Sequence, residues 1–266
     1  MEHVIDGITQ RYSLDGPADA PVITFGHALS LDLRSWAPQV AAFKDRYRVL
    51  CFDFRGHSGI DADGGPFGIE DLANDIVGLL DHLEIARTHF VGSSLGGMAG
   101  FALALNHAGR LDSLTLLATQ GVLPEERART QRKNIAAMNA DDRGLELQVD
   151  AMLERLNRDG YRTDDPEGYA KLREMAVCGT VEGYARACAA IAAMNYDDRL
   201  SDIAAPTLVV AGALDVSTTP ERMAIYRDQI PGARMEIIAN AAHFPNFDEP
   251  DAFNAVLEGF LAGLAR

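Results

Sequence analysis

The sequence predicts an α/β fold in which a mostly parallel sheet is flanked by helices and a helical insertion covers one edge of the sheet. Three observations predict this fold. Short apolar runs alternate with helical apolar stripes from about residue 20. A glycine-rich turn with a central serine joins one apolar run to the next stripe at residues 92–96. The stretch 122–199 contains helical stripes and no strand-like run.

The first half of the alternation precedes residue 121. Apolar runs bounded by turn residues are typical of strands buried on both faces, and apolar residues spaced by three and four predict amphipathic helices. These two patterns predict, in chain order, strand Val22–Phe25, strand Val49–Phe52, helix Ile69–Leu83, strand His89–Gly92, helix Leu95–Asn106 and strand Leu114–Leu117.

The second half of the alternation follows residue 200. The same patterns predict strand Thr207–Ala211, helix Glu221–Ile230, strand Met235–Ile238 and helix Asp251–Ala265. Pro220 and Pro250 stand at the starts of the two helices, where the first turn tolerates proline.

The stretch between the halves has a different pattern. Apolar residues recur at helical spacing from Leu145 to Leu156 and again from Val181 to Ala192. We therefore predict a core formed by residues 1–121 and 200–266, with a helical cap formed by residues 122–199.

The composition excludes several classes of protein. The 266 residues include 24 Lys and Arg against 39 Asp and Glu, a formal charge of −15 that repels nucleic acid and anionic membranes. No run of about 18 apolar residues predicts a membrane span, and the first residues have no basic and apolar leader pattern. We expect a cytoplasmic protein that acts on a small molecule, and the sequence leaves a homo-oligomer open.

The serine turn is the strongest chemical signal. Residues 92–96 read G-S-S-L-G, which matches the G-x-S-x-G nucleophile elbow between a predicted strand and a predicted helix. Ser94 is the serine that fits, because a motif centred on Ser93 would need glycine at Val91 and Leu95. The sequence therefore predicts Ser94 as a nucleophile above the carboxyl edge of the sheet.

A serine nucleophile needs a base, and the base needs an acid that orients it. Asp215 follows the predicted strand Thr207–Ala211, and His243 follows the predicted strand Met235–Ile238. Both side chains therefore leave the same edge of the sheet as Ser94, in the chain order serine, acid, histidine that accompanies a nucleophile elbow. We predict a catalytic triad of Ser94, Asp215 and His243.

An acyl-transfer site also needs two N–H donors for the oxyanion. Leu95, directly after the nucleophile, provides the first predicted donor. The loop after strand Val22–Phe25 provides the second, for which we predict Leu29, and we expect His27 to hold this loop in shape rather than transfer protons.

These residues resemble the α/β-hydrolase superfamily, and within it the 3-oxoadipate enol-lactonases. D-F-R-G-H at positions 53–57 is similar to the superfamily's D-x-R-G-H turn, and H-A-L-S-L-D-L-R-S-W at positions 27–36 is similar to the enol-lactonase loop H-S-L-G-x-D-L-x-x-W. The stretches 92–98, 182–184, 204–215 and 242–250 are similar as well. Ala28 and Ser30 depart from the loop motif, and residues 56–59 permute the usual G-H-G-x-S.

The resemblance implies a cofactor-independent serine hydrolase that cleaves a small lactone or carboxylic ester through an acyl-enzyme, without a metal. A dicarboxylate product implies a cation near the pocket, and we assign Arg34, Trp36 and Arg132 to substrate binding. Hydrolysis of acyl-homoserine lactones and general carboxylesterase activity use the same machinery. A non-hydrolytic ligand-binding protein, or a cofactor-free oxygenase or perhydrolase, is the alternative of another class.

Overall fold

The structure, a computed structural model, describes residues 1–5, 7–58, 60 and 65–264. Within these residues eight strands form one sheet: β1 Glu2–Ile5, β2 Ile8–Asp15, β3 Val22–Gly26, β4 Arg48–Phe52, β5 Thr88–Ser93, β6 Leu111–Leu117, β7 Thr207–Gly212 and β8 Arg234–Ile238. Their order is β1-β2-β4-β3-β5-β6-β7-β8. β2 pairs antiparallel with β1 and β4, and the other pairs are parallel. The predicted mostly parallel sheet is confirmed.

The helices among the described residues are α1 Ala37–Phe43, α2 Ile69–His82, α3 Leu95–Asn106, α4 Glu125–Asn139, α5 Glu146–Leu156, α6 Tyr161–Asp164, α7 Pro166–Val177, α8 Val181–Ala193, α9 Pro220–Gln229, α10 Pro245–Asp248 and α11 Pro250–Leu264. The helices predicted outside 122–199 are present, with ends that agree within one residue. Residue 265, the predicted end of the last helix, lies outside the described residues. β6 begins three residues before the predicted strand.

The two faces of the sheet bury different side chains. Along β4, Leu50 and Phe52 pack toward α2 and α3, whereas Val49 and Cys51 pack toward α1 and α11. Successive side chains of a strand point to opposite faces, so a strand covered on both faces needs apolar residues at consecutive positions. This requirement explains why the central strands read as continuous apolar runs.

The N-terminal hairpin and α1 are elements that the sequence patterns did not predict. β2 lies near the sheet edge and buries only alternate side chains, among them Gln10, whose amide donates to the Asp75 carbonyl at 3.1 Å. A strand with buried polar residues has no continuous apolar run. α1 has seven residues, and two turns are too short for helical periodicity to stand out.

The stretch 122–199, all of which the structure describes, contains α4 to α8 and the first half of a 3-10 turn at Asp197–Asp202. Its two ends meet, because Val122 pairs with Asn195 and the Tyr196 N–H donates to the Gly121 carbonyl at 2.9 Å. Helices α5 and α7 share an apolar cluster with residues of two core loops, Ala28 and Phe244. The stretch therefore lies over the loops at the carboxyl edge of the sheet.

Candidate active site

Ser94 occupies the sharp turn between β5 and α3. Its φ of 50° and ψ of −106° fall in a region that residues with a side chain rarely adopt. Both neighbouring glycines are needed for close approach: a Cβ at Gly92 would lie 2.2 Å from the Gly96 carbonyl oxygen, and a Cβ at Gly96 would lie 2.1 Å from that of Gly26. The turn therefore depends on glycine at both positions.

The structure brings the three predicted triad side chains into one hydrogen-bonded chain. His243 follows β8, and its Nε2 lies 3.1 Å from Ser94 Oγ. Its Nδ1 lies 2.8 Å from Asp215 Oδ2, in the turn after β7. All three residues are largely buried. The bond to Asp215 assigns the imidazole hydrogen to Nδ1, which leaves Nε2 free to accept a proton from the serine.

Asp215 is held by three further donors. The N–H groups of Ser217 and Thr218 donate to its Oδ1 at 2.7 and 3.1 Å, and the Thr218 hydroxyl donates to Oδ2 at 2.6 Å. Burial by itself raises the pKa of Asp215, but His243 and these hydrogen bonds outweigh burial and lower the pKa well below its usual value. The carboxylate is therefore ionised at neutral pH. The sequence interpretation did not include Thr218.

The loop after β3 is braced by His27. The Nδ1 of His27 donates to the Ala28 carbonyl at 2.8 Å, and its Nε2 accepts from the Phe54 N–H at 2.9 Å. Burial lowers the pKa of His27 to about 4, so the ring is neutral and both nitrogens are engaged. In the part of the chain that the structure describes, neither the Leu29 N–H nor the Leu95 N–H donates a hydrogen bond. Leu29 lines the cavity that is described below, whereas Leu95 is fully buried.

Two serines stand at positions where this chain departs from the motifs that it resembles. Ser30 has a φ of 66° and Ser58 a φ of 55°. The similar motifs carry glycine at both positions, and glycine adopts positive φ without the steric cost that a Cβ brings. The backbone shape is kept, and the chain accepts local strain at these two serines.

A cavity of about 250 Å³ lies between the carboxyl edge of the sheet and the insertion. Leu29, Ser94 and His243 line it from the core, and Arg127, Met152, Arg155 and Tyr184 are among the residues that line it from the insertion. The candidate nucleophile and base therefore face a partly enclosed space, and side chains opposite them come from helices α4, α5 and α8.

Two arginines and one acid, Glu126, line this cavity, so the charge of its lining is positive on balance. Arg127 donates to the Ser217 carbonyl at 2.9 Å and to the Ser217 hydroxyl at 2.6 Å, and its other acceptor is the Gln120 amide oxygen at 3.2 Å. Burial, and next the positive charge of Arg155, lower the pKa of Arg127. Among the described residues, neither Arg127 nor Arg155 has a carboxylate within salt-bridge distance.

The three residues predicted to bind substrate do not line this cavity. Trp36 is fully buried between Phe25 and Phe253, on the sheet face covered by α1 and α11, so its assignment to substrate binding is wrong. Its aromatic ring packs in the hydrophobic core.

The prediction that Arg34 and Arg132 bind substrate is also wrong, because both form ion pairs outside the cavity. Arg34 pairs with Asp32 at 2.8 Å and with Glu174 of α7 at 2.5 Å. Arg132 is exposed and pairs with Glu125 at 2.6 Å. Neither guanidinium is free to face a ligand in the cavity.

The helical phase of α4 explains why Arg127 faces the cavity and Arg132, which the sequence predicted to bind substrate, does not. The residues of α4 that line the cavity recur at spacings of three and four: Glu126, Arg127, Thr130, Gln131 and Asn134. Arg132 is five positions from Arg127, which rotates it by about 140° around the helix axis. The spacing was visible in the sequence, but the face that meets the cavity is set by how α4 packs on α8.

Comparison with known proteins identifies the family to which this chain belongs. A family model described as the alpha/beta hydrolase fold matches residues 21–250. The chain belongs to this family. 3-Oxoadipate enol-lactonase 2 of Acinetobacter baylyi is 32% identical to this α/β hydrolase over 254 residues, which cover 96% of this chain and 93% of that protein.

Solved structures agree with the family. The enol-lactonase from Burkholderia xenovorans LB400 is 34% identical, with a TM-score of 0.90 and coverage of 98% of this chain and 100% of that one. Est816, described as an N-acyl homoserine lactone degrading enzyme, is 31% identical, with a TM-score of 0.83 and coverage of 98% and 100%. The predicted α/β-hydrolase fold, the resemblance to 3-oxoadipate enol-lactonase and the prediction of a hydrolase are confirmed.

The length and apolar character of the helices bear on whether one of them could cross a membrane. Among the described helices, the longest of which have 15 residues, none combines the length and apolar character that a membrane span requires.

Proposed function

We propose that this α/β hydrolase cleaves carboxylic esters or lactones through a covalent intermediate on Ser94. The observation that carries the proposal is the position of His243, with one ring nitrogen 3.1 Å from Ser94 Oγ and the other 2.8 Å from Asp215 Oδ2. This arrangement supplies a nucleophile, a general base and an orienting carboxylate within hydrogen-bond reach of one another.

Acylation begins when Ser94 Oγ attacks the substrate carbonyl carbon and its proton passes to His243 Nε2. The tetrahedral intermediate then collapses, the bond from the carbonyl carbon to the leaving oxygen breaks, and His243 returns the proton to that oxygen. Asp215 stays ionised throughout, in agreement with its lowered pKa, and stabilises the imidazolium. In a lactone the leaving oxygen stays attached to the acyl group, so ring opening yields the acyl-enzyme.

Deacylation reverses these roles with water as the nucleophile. His243 accepts a proton from water as the water attacks the ester carbon, and the proton passes to Ser94 Oγ when the acid leaves. The N–H groups of Leu29 and Leu95 stabilise the oxyanion in both steps. In comparable sites each such donor lowers the activation barrier by on the order of 3 kcal/mol.

The finer proposal is a substrate like 3-oxoadipate enol-lactone, the substrate in the name of the 32% identical relative. An enol-lactone expels an enolate, which is a good leaving group, and it carries a carboxylate. The cavity offers charge to match: Arg127 and Arg155 outnumber one acid, Glu126, in its lining, and among the described residues neither arginine has a carboxylate within salt-bridge distance. In a chain of net charge −15, cations without paired acids beside the candidate nucleophile favour an anionic ligand.

An acyl-homoserine lactone is a second candidate, favoured by the 31% identity to Est816. It is neutral, so it would gain less from the two arginines than an enol-lactone that carries a carboxylate. The two substrates thus place different demands on the same cavity.

The test is a turnover panel of 3-oxoadipate enol-lactone, an N-acyl homoserine lactone and p-nitrophenyl acetate, measured with wild type, Ser94→Ala and Ser93→Ala. We expect wild type and Ser93→Ala to open the enol-lactone with the highest kcat/KM, and Ser94→Ala to be inactive on all three. Ser94→Ala activity equal to wild type would end the serine mechanism. A higher kcat/KM for the N-acyl homoserine lactone would instead favour this neutral lactone, the second candidate, as the substrate.

A further inference from the structure

Strand β8 stands at one end of the strand order of the described sheet, with β7 on its inner side. Three of its five side chains, Arg234, Glu236 and Ile237, are exposed, and Ile237 shows 53% of its surface. The outer side of an edge strand carries backbone N–H and C=O groups that a further strand can bind. β8 is therefore a surface to which a strand of another molecule can add.

The direction of each backbone group of β8 follows from its pairing with β7. The carbonyl of Ile238 faces β7, because it accepts the Ala213 N–H at 2.9 Å. The N–H and C=O groups of one strand residue point to the same side, and successive residues alternate between the two sides. Met235 and Ile237, at odd distances from Ile238, therefore direct these groups out of the sheet edge.

Two exposed side chains of β8 carry opposite charges that are not used within the chain. Among the described residues, neither Arg234 nor Glu236 has an ion-pair partner. The two residues are two positions apart and so lie on the same face of the sheet. This is the face of α11, since a Cβ at Gly263 would lie 3.4 Å from Arg234 Nη1. β8 thus presents a cation and an anion side by side at the sheet edge.

The charge pattern of β8 is complementary to itself when a second copy of the strand runs antiparallel. With a two-fold axis at Met235, Arg234 of each copy lies opposite Glu236 of the other. Directly opposite residues have Cβ atoms about 4.5–5.5 Å apart, within reach of an ion pair. Moving the axis by one residue, to Arg234 or to Glu236, would instead set like charges opposite each other.

The same register suits the backbone and the other face of the strand. Met235 then lies opposite Met235 of the second copy, and their outward N–H and C=O groups can bond to each other. Ile237 lies opposite Ala233 of the second copy, a residue that packs beside Met235 against the apolar cluster beneath α9. The exposed Ile237 would therefore exchange water for an apolar neighbour, which is favourable.

The opposite edge of the sheet lacks this complementarity. β1 reads E-H-V-I and contains neither lysine nor arginine, so its own copy would place neither of these cations opposite Glu2. Glu2 is already engaged, because it pairs with Arg11 of β2 at 3.0 Å. The charge pattern therefore favours β8 over β1 as the edge that meets a second copy.

We propose that β8 pairs antiparallel with β8 of a second copy of this chain and joins the two eight-stranded sheets into one. The two-fold axis lies at Met235, and two Arg234–Glu236 ion pairs fix the register. Because each copy uses the same patch, the contact is closed and gives a dimer. The inference concerns the sheet edge and does not depend on the proposed function of Ser94.

Sedimentation velocity over a range of protein concentrations tests the proposal. Wild type should sediment with twice the 28.7 kDa mass of one chain. Arg234→Glu sets acids opposite each other at both pairs, and Glu236→Arg sets cations opposite each other. Each should raise the dissociation constant of the dimer by about tenfold or more. The double variant, Arg234→Glu with Glu236→Arg, restores opposite charges and should return the dissociation constant to near wild type.

Two further variants separate the edge from other causes. Arg132→Glu reverses an exposed cation on α4 and should leave the dimer unchanged. Ile237→Pro removes an outward N–H, a change that an edge strand tolerates, and it should give a monomer. Urea unfolding of each variant verifies that it is folded.

Three results would overturn the proposal. The first is a wild type that stays monomeric at the highest concentration. The second is a folded Arg234→Glu variant with the wild-type dissociation constant. The third is a double variant that dimerises no better than Arg234→Glu, because the loss would then not come from opposed charges.

Discussion

The two sides of the active-site cavity are built differently. On the core side, Ser94, Asp215 and His243 are short or rigid side chains that form a hydrogen-bonded chain at the ends of strands, and Asp215 and His243 are buried. On the insertion side, Met152 and Arg155 are long side chains on a helix, and Arg155 has no carboxylate partner among the described residues. The core side holds reacting atoms in fixed positions, whereas the insertion side offers adaptable surface and charge.

The two sides meet at a small number of close contacts. The His243 N–H donates to the carbonyl of Leu156, the last residue of α5, at 2.9 Å. A Cβ at Gly183 of α8 would lie 2.2 Å from the Gly56 carbonyl oxygen, so this helix can sit against the core turn only with glycine there. The positions of the candidate catalytic groups and of the pocket walls are therefore linked by backbone contacts.

The largest expected effect is on the core side. Asp215→Asn should lower kcat by about 10⁴-fold, because an amide does not hold the imidazole in the productive tautomer or stabilise its positive charge. Steady-state kinetics on the panel above measure the loss. Asp228→Asn, an exposed acid on α9, is the control and should have no effect. A loss of less than tenfold in Asp215→Asn would contradict the role given to this carboxylate.

A second core-side effect concerns stability. Burial raises the pKa of Asp248 to about 7, although its Oδ2 accepts the Ala242 N–H at 2.8 Å. The unfolded carboxyl ionises near pH 4, so between about pH 4 and 7 this carboxyl binds more protons in the folded state, and its contribution to the free energy of unfolding falls as pH rises. The fall should amount to on the order of 3 kcal/mol.

Asp248→Asn removes this titration. We expect the unfolding free energy of wild type minus that of the variant to fall between pH 5 and 8, measured by urea unfolding at each pH. Glu258→Gln, an exposed acid on α11, should keep the wild-type dependence. An unchanged pH dependence in Asp248→Asn would show that other groups cause it.

The third prediction tests a contact between the two sides. Arg127→Gln should lower kcat by roughly 10–100-fold, because Arg127 holds Ser217, whose N–H donates to Asp215. Arg132→Gln makes the same change on the outer face of α4 and should leave kinetics unchanged. If the two variants behave alike, the α4 face that lines the cavity has been misassigned.

The fourth prediction isolates the charge of the insertion side. Arg155→Gln should raise KM for 3-oxoadipate enol-lactone by about tenfold with little change in kcat, because a charge-assisted hydrogen bond to the substrate carboxylate is lost. KM for p-nitrophenyl acetate, which is neutral, serves as the internal control. Equal increases for both substrates would point to a packing defect instead of a lost charge.

The smallest effect lies where the two sides meet, at Ser30. Ser30→Gly relieves the cost of a positive φ, partly offset by the greater freedom of glycine in the unfolded chain, so we expect a gain in unfolding free energy of up to about 1 kcal/mol. Urea unfolding measures it. Ser35→Gly, in the 3-10 turn Leu33–Trp36, should destabilise the protein. A destabilised Ser30→Gly would mean that the side chain contributes more than its strain costs.

Prediction from the sequence was successful where local pattern decides the structure. Central strands covered on both faces have continuous apolar runs, and the residues that follow those runs leave the sheet at one edge. Ser94, Asp215 and His243 could be predicted to meet for this reason alone. The N-terminal hairpin has no such run, because β2 buries Gln10 and Tyr12 at alternate positions only.

The pocket walls could not be predicted, because packing between helices decides them. Arg127 and Arg132 lie on one helix and look equivalent in sequence, but only the rotation of α4 against α8 directs Arg127 into the cavity. Trp36 belongs to a loop that resembles an active-site loop, but its ring fills the core beneath the sheet.

The central claim is that His243 activates Ser94 in the cavity beneath the insertion. A fluorophosphonate reacts with an activated serine, and mass mapping of the modified peptide identifies the residue. We expect one equivalent on Ser94, unchanged labelling in Ser93→Ala, none in Ser94→Ala and much slower labelling in His243→Gln. Modification of a different residue in wild type, or a His243→Gln variant that labels as fast as wild type, would contradict the claim.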